Sequence, residues 1–322
     1  MHVNIQNPLI LNLTSMIVML VLVVISLSVG VADFSWSEIL YGVNQDSLSL
    51  LLVSRLPRTL AIILAGASLA IAGTILQVVL RNRFVSPSMV GATQSSGLGL
   101  LLISLLFPAS SLLLKMGVAT FFAVLTMLLF MRLVDKLPPT QYLIVPLIGI
   151  VFGGIIDSMT VFIAYQTEMM QMLSVWQFGD FSAILSGRYE WLWITAVLIV
   201  LAYLLADQLT IVGLGDDIAI NLGINKKFIS RFAIGVVSMV SAVVVITVGS
   251  IPFVGLVVPN IVSHIIGDQL RRCLPAVAIL GASALLLCDI IGRTIRFPYE
   301  VPVATVFGVV GAIIFLWLLL RK

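Results

Sequence analysis

Apolar segments of about twenty residues recur along the whole chain, and this feature restricts the possible fold more than any other,. Lipid offers the backbone no hydrogen-bond partners, so segments of this kind cross a membrane as α-helices. Hydrophobic residues make up 61% of the chain and charged residues only 10%, which excludes a soluble globular protein,. The sequence therefore predicts an all-α membrane protein in which several spans form a helical bundle.

About ten spans are predicted, and together they form a single transmembrane domain over residues 1–322,. The second span places Gly66, Ala70, Gly73 and Thr74 on one face, and small residues let helix backbones approach closely,. We therefore expect this span at the centre of the bundle. A long span followed by a short, Pro-containing one occurs early and again late in the chain, which predicts two inverted five-helix halves. The predicted ranges are 9–31, 55–80, 89–107, 112–134, 142–165, 191–206, 232–251, 252–267, 275–295 and 301–320.

The longest polar interruption covers residues 207–231 and lies between two long apolar segments. Asp216 is suited to capping a short helix that extends to Leu222, and Gly223 to ending it in the left-handed conformation. Asn225 is suited to capping the helix that follows. A plain connection between spans needs only a few residues, so a folded segment of this length predicts a surface that another protein holds. The alternative is a loop that folds only to cover its own residues and binds no partner protein.

The distribution of basic residues predicts the orientation of the chain in the membrane. With both termini in the cytoplasm, the 17 Lys and Arg residues divide as eleven inside and six outside, as the positive-inside rule favours,. This orientation places residues 207–231 in the cytoplasm. The net charge of +3 is too small to indicate a nucleic-acid partner, and the surface is expected to contact membrane lipid,.

The sequence contains no enzymatic motif. Histidine occurs only at His2 and His264, and a paired-His metal motif, a nucleophile elbow and a Gly-x-x-x-x-Gly-Lys phosphate loop are absent,. We therefore expect no catalytic residue, no metal site and no cofactor bound by this chain. Energy from ATP would have to come through a partner protein.

Four arginines, Arg55, Arg58, Arg293 and Arg296, lie at span ends on the side where positive charge is disfavoured,. They predict a basic rim that would suit carboxylates of a docking protein or an anionic solute. The alternative is that their guanidinium groups reach lipid phosphates.

Asp157 and Asp289 fall inside predicted spans, where an ionisable group is costly and indicates a function by default,. Together with His264 they allow an alternative class of protein, a proton-coupled secondary transporter. The simpler interpretation is that both carboxylates are structural hydrogen-bond acceptors and that His264 is structural as well.

A series of motifs connects the chain to a known family. The motifs are Arg55-Leu-Pro-Arg58; Gly66, Gly73 and Gln77; Asn82, Pro87 and Gly91; Trp176 and Gly179; Leu214-Gly215, Ala219 and Leu222-Gly223-Ile224; Gly249 with Phe253-Val-Gly-Leu-Val-Val-Pro259; Leu274-Pro275, Gly281-Ala282, Asp289 and Arg293; and Glu300-Val-Pro302. In this order and spacing they resemble the FecCD-type permeases, which serve bacterial type II ATP-binding cassette importers for iron siderophores and cobalamin. The resemblance covers the chain from about Arg55 to Lys322.

The resemblance implies a cobalamin-permease-like bundle in the bacterial inner membrane, with two permease subunits around one pathway. The second subunit is either another copy or a different permease chain. The implied partners are a dimer of cytoplasmic ATPases and a periplasmic substrate-binding protein. The implied cargo is a ferric siderophore, with cobalamin and haem as alternatives.

The resemblance also assigns residues to three roles within this permease domain. Coupling to the ATPase would fall to Gly215, Asp216, Asp217, Ala219, Leu222, Gly223 and Asn225, inside the segment 207–231. Docking of the binding protein would fall to Arg55, Arg58 and Arg293, and we add Arg296 to this set from its position beside them. The pathway and its gating would involve Gln77, Gly91, Gln94, Gly249, Pro252, Gly255 and Pro259. Two stretches, 82–87 and 259–263, depart from the usual family pattern, so the contacts around them are not implied.

Overall fold

A computed structural model of the protein describes residues 8–30, 45–137 and 144–320, and its regular elements in these residues are helices. A π-helical turn, Leu51–Arg55, joins α2 to α3, so one continuous span covers Ser47–Val79. A 3-10 turn, Tyr189–Leu192, precedes α8. The helices are α1 Pro8–Ser28, α2 Gln45–Leu50, α3 Leu56–Val79, α4 Ala92–Leu106, α5 Leu112–Val134, α6 Val145–Gln166, α7 Met170–Gln177, α8 Trp193–Leu204, α9 Ala206–Leu214, α10 Asp216–Asn221, α11 Lys226–Val248, α12 Val254–Ile266, α13 Leu270–Thr294 and α14 Val303–Leu320.

The predicted all-α bundle is confirmed. In the described ranges, seven spans are long and apolar enough to cross a membrane, and α8 counts as an eighth only when it is taken together with α9, from which it is bent by 61°. The shorter apolar helices α4 and α12 account for the remaining predicted spans. Two helices begin before the apolar span that was predicted within them, because α11 starts at Lys226 rather than residue 232 and α13 at Leu270 rather than residue 275. In both cases a polar residue, Asn225 or Gln269, stands at the start, and apolar character begins only after the first turns,.

Helix α3 lies at the centre of the bundle, as its small residues predict. A Cβ atom at Gly66 would lie 2.5 Å from the carbonyl oxygen of Gly281, so α3 and α13 cross with their backbones in direct contact. One at Gly73 would clash with the backbone of Gly255 on α12. These close crossings are possible only because each contact point lacks a side chain.

The broken helix predicted between residues 249 and 259 is also present. Gly249, with φ of 91°, ends α11, and α12 starts after Phe253. The polar groups of the irregular backbone in between find hydrogen-bond partners in the segment after α7, because Gly179 N–H donates to the Ser250 carbonyl at 3.0 Å. Ala304 at the start of α14 donates to the Gly179 carbonyl, also at 3.0 Å. Buried non-helical backbone is therefore paired within the protein, as a membrane interior requires.

Candidate functional site

The connecting segment, residues 205–225, comprises α9, α10 and the turns around them. Gly215 separates the two helices with a φ of 142°, and Gly223 ends α10 with a φ of 73°. A Cβ at either glycine would meet nothing within 4 Å, so backbone conformation rather than space requires glycine here,. The Asn225 side chain accepts a hydrogen bond from Phe228 N–H at 3.1 Å, which confirms it as the cap of α11. The predicted cap of α10 is wrong, because α10 begins at Asp216 and Gly215 stands at the capping position.

The connecting segment and the first turn of α11 expose a row of large apolar side chains. Leu214, Ile220, Leu222 and Phe228 are each at least 60% exposed. Ala219 is fully buried and anchors α10, whereas the carboxylate-bearing Asp217 is exposed. The side chain of Asp216 lies outside the described parts of the chain. Several large, exposed apolar side chains in and beside the polar segment 207–231 favour a protein contact there,.

Helix α9 ties the connecting segment to the centre of the bundle. It packs on α3, α11 and α13. Arg81, just after α3, donates to the Val212 carbonyl at 3.2 Å, and the Thr210 hydroxyl accepts from Leu270 N–H at 3.3 Å. Arg271 and Asp207 form an ion pair at 2.5 Å. A displacement of α9 would therefore be transmitted to the ends of α3 and α13.

The same end of the bundle contains the stretches that depart from the family pattern. Asn260 donates to the Arg83 carbonyl at 2.8 Å and to the Leu256 carbonyl at 2.7 Å. Arg83 in turn pairs with Asp268 at 2.5 Å. These contacts join the turn after α3 to the turn between α12 and α13. The unusual residues thus hold the two halves of the chain together at this end.

At the opposite end of the bundle, Arg58, Asp289, Arg293 and Glu300 form an arginine cluster. Arg58 pairs with Asp289 at 2.7 Å through one guanidinium nitrogen and with Glu300 at 2.7 Å through another. Arg293 pairs with the second carboxylate oxygen of Asp289. Asp289 is 1% exposed and its charge is shared by two guanidinium groups, which confirms its interpretation as a structural acceptor,.

Two arginines bind the carbonyl groups at the end of α1. Arg55 donates to the carbonyls of Leu27 and Ser28 at 2.7 and 2.8 Å. Arg293 donates to the carbonyls of Ser26 and Val29 at 3.0 and 2.8 Å. The last carbonyls of a helix lack intrahelical partners and carry partial negative charge, so guanidinium groups stabilise them. The arginines thereby fasten α1 to α3 and α13.

The structure places only one of the four predicted rim arginines at the surface. Arg55 and Arg293 are 6% and 5% exposed, and the Arg58 side chain is 12% exposed. Arg296 is exposed, with its guanidinium carbon 5.8 Å from the centre of the Tyr299 ring. In this chain, Arg55, Arg58 and Arg293 satisfy internal acceptors, and a docking role stays a prediction that rests mainly on Arg296. The pairing of Arg58 with Glu300 was not predicted, although Glu300 begins the Glu300-Val-Pro302 motif.

Most of the predicted pathway residues lie at helix crossings and turns. Gly91, Gly249, Gly255 and Pro259 are buried, and Pro252 is half-buried. Gln77 donates to the Gly255 carbonyl at 3.3 Å, and Gln94 to the Ser88 carbonyl at 2.8 Å. The structure explains these residues by burial or by hydrogen bonds within the protein, and their contribution to a pathway stays a prediction.

A polar pocket of about 230 Å³ lies between α4, α6, α7 and α11. Its lining includes Gln94, Asp157, Trp176 and Gln177. Asp157 accepts a hydrogen bond from Gln177 at 3.4 Å, whereas Asp289 is bound by arginines, and His264 is exposed. The three groups of the alternative proton relay thus sit in separate environments. In the part of the chain that the structure describes, no group of three or more His, Cys, Asp or Glu residues could hold a metal ion.

Comparison with known families matches residues 18–321 to the family model described as the FecCD transport family. The chain belongs to the FecCD transport family. This confirms the resemblance found in the sequence. FecCD membership covers almost the whole chain, including the connecting segment, the arginine cluster and the polar pocket.

Two relatives of this FecCD chain are similar over nearly their whole length. The petrobactin import system permease protein YclN of Bacillus subtilis (strain 168) is 40% identical over 95% of this chain and 96% of its own length. The ferric-anguibactin transport system permease protein FatD of Vibrio anguillarum is 40% identical over 92% of this chain and 94% of its own length. A solved metal-chelate type ABC transporter in an inward-facing conformation has the same fold, with a TM-score of 0.82 at 24% identity, covering 98% of this chain and 100% of that one.

Proposed function

We propose that this FecCD chain is the membrane-spanning permease subunit of an ABC importer that carries a ferric siderophore into the cytoplasm. The observation that carries this proposal is the 40% identity to permeases for petrobactin and ferric anguibactin over more than nine-tenths of the chain. The exposed apolar row of the connecting segment supports it, because a permease without its own phosphate loop needs a docking surface for an ATPase,. Cobalamin and haem stay the alternative cargoes.

The proposed topology has both termini and the connecting segment in the cytoplasm of the bacterial cell, with the arginine cluster on the outer side. In this arrangement α10 contacts a cytoplasmic ATPase, and a second permease subunit completes the pathway. A substrate-binding protein delivers the cargo to the outer face, where Arg296 is accessible. The chain itself is not an enzyme.

In the proposed mechanism, ATP binding draws two ATPase subunits together and displaces α10. The displacement reaches α9 through Gly215 and passes to α3 through the Arg81–Val212 contact and to α13 through the Arg271–Asp207 pair. Because α3 crosses α12 and α13 with direct backbone contact, these helices move with it,. The pathway between permease subunits then opens toward the loaded binding protein.

The test is uptake of a radioactive ferric siderophore by cells that lack their own importer and express this chain with an ATPase, a binding protein and a second permease. We expect uptake that continues in the presence of a protonophore and stops when ATP is depleted. Uptake that stops with the protonophore at full ATP would favour the proton-coupled transporter and contradict the proposal.

A further inference from the structure

The polar pocket contains two hydrogen-bond acceptors that the described residues leave without adequate partners. Gln94 uses its amide nitrogen to donate to the Ser88 carbonyl, and its side-chain oxygen is buried with no partner in the described ranges. Asp157 is half-buried and accepts one bond, from Gln177, at the long distance of 3.4 Å. A buried acceptor without a partner is costly, so the Gln94 oxygen points to an occupant of this pocket, and the Asp157 carboxylate lines the same space,.

The two carboxylates that lie inside membrane spans, Asp157 and Asp289, differ in their charged partners. Asp289 accepts from Arg58 at 2.7 and 3.2 Å and also from Arg293, so its charge is internally compensated. Asp157 has no basic residue among the side chains that line its pocket. An ionisable group at membrane depth without a counter-charge is a functional site by default.

The chemistry of the pocket selects the occupant. Both open groups accept hydrogen bonds and one carries negative charge, so an anion is excluded and a cationic donor is favoured. Trp176 also lines the pocket, and an indole attracts a cation,. The lining supplies a single carboxylate, Asp157, beside neutral amide and hydroxyl groups, and the described residues form no group of three or more His, Cys, Asp or Glu that could hold a metal ion. An organic ammonium group, with its several N–H donors, matches the site.

We propose that the polar pocket binds a protonated amine on the siderophore cargo, with Asp157 as its counter-ion and Gln94 as a second acceptor. This inference rests on the proposed importer function and adds to it a preference for siderophores that carry a protonated amine. Ser250, in the break between α11 and α12, lines the same pocket. An amine bound here would therefore lie beside the break between the long helix α11 and the short helix α12.

The experiment measures equilibrium binding of two radioactive iron complexes to the assembled permease–ATPase complex in lipid nanodiscs. The probes are ferrioxamine B, which carries a free primary amine, and its N-acetyl derivative, which lacks that charge. For the wild type we expect about 10-fold tighter binding of ferrioxamine B, the value of one charge-assisted hydrogen bond. Asp157→Asn keeps the side-chain volume and should reduce binding of ferrioxamine B about 10-fold, while changing the acetylated complex less than 2-fold.

Glu190→Gln is the matched control, because it neutralises an exposed carboxylate whose partner is the Gly187 amide in a surface turn. It should leave the binding of both complexes unchanged. Three results would overturn the assignment and leave a water-filled pocket. The wild type could bind the two complexes with equal affinity, it could bind neither, or Asp157→Asn could weaken the binding of both complexes equally. ATP-driven siderophore uptake without amine preference would refute only the pocket, whereas absence of ATP-driven uptake would refute the importer function itself.

Discussion

Neutralising Asp289 should destabilise the bundle more than any other single loss of charge at this end of the protein. Its two oxygens bind Arg58 and Arg293, and Arg293 also holds the last carbonyls of α1. In Asp289→Asn, the guanidinium of Arg293 stays buried but loses its carboxylate, while Arg58 keeps Glu300. Breaking a buried ion pair by removing one partner typically costs about 3–5 kcal/mol. We expect a loss of stability in that range.

The assay is unfolding of the purified chain in mixed micelles at increasing SDS fraction, followed by tryptophan fluorescence. Glu300→Gln is the control, because the Glu300 side chain is 25% exposed and pairs only with Arg58 among the described residues. Because Arg58 keeps its bonds to Asp289 when Glu300 is changed, we expect this variant to lose only about 1 kcal/mol, the net value of one hydrogen bond,. The double change Asp289→Leu with Arg293→Met removes both charges and should recover part of the loss. Equal unfolding midpoints for Asp289→Asn and Glu300→Gln would refute a shared, buried counter-ion.

Three further predictions concern separate parts of the molecule. Gly66→Ala should lower the free energy of unfolding by about 1–3 kcal/mol in the same assay, because its Cβ would press on the Gly281 backbone,. Gly235→Ala, which lies in open space on α11, is the control and should be neutral or stabilising,. Equal effects of the two changes would contradict the close crossing of α3 and α13. Leu222→Asp should abolish co-purification of the ATPase while the permease stays inserted, and full retention would refute the coupling surface. Arg296→Glu should weaken docking of the binding protein most at low salt, and unchanged docking at every ionic strength would remove that assignment.

The local features of this fold could be predicted from the sequence. Long apolar segments determine where helices cross the membrane, because hydrocarbon excludes unpaired backbone groups. The left-handed Gly223 and the capping Asn225 were recognisable for a similar reason, since their conformations depend on adjacent residues,. Gly66 and Gly73 predicted a central helix, because a glycine lets any neighbouring helix approach its backbone closely, whichever helix that is,.

The roles of the charged residues were decided by tertiary structure. Asp157 and Asp289 give the same signal in the sequence, a carboxylate within an apolar span, yet packing supplies one with a single amide and the other with two guanidinium groups. The decisive partner, Arg58, is separated from Asp289 by 231 residues. They meet because Gly66 and Gly281 let α3 and α13 cross in direct contact. The sequence determines which helices form, whereas their crossings determine which charges are neutralised inside the bundle and which stay available to a ligand or a partner.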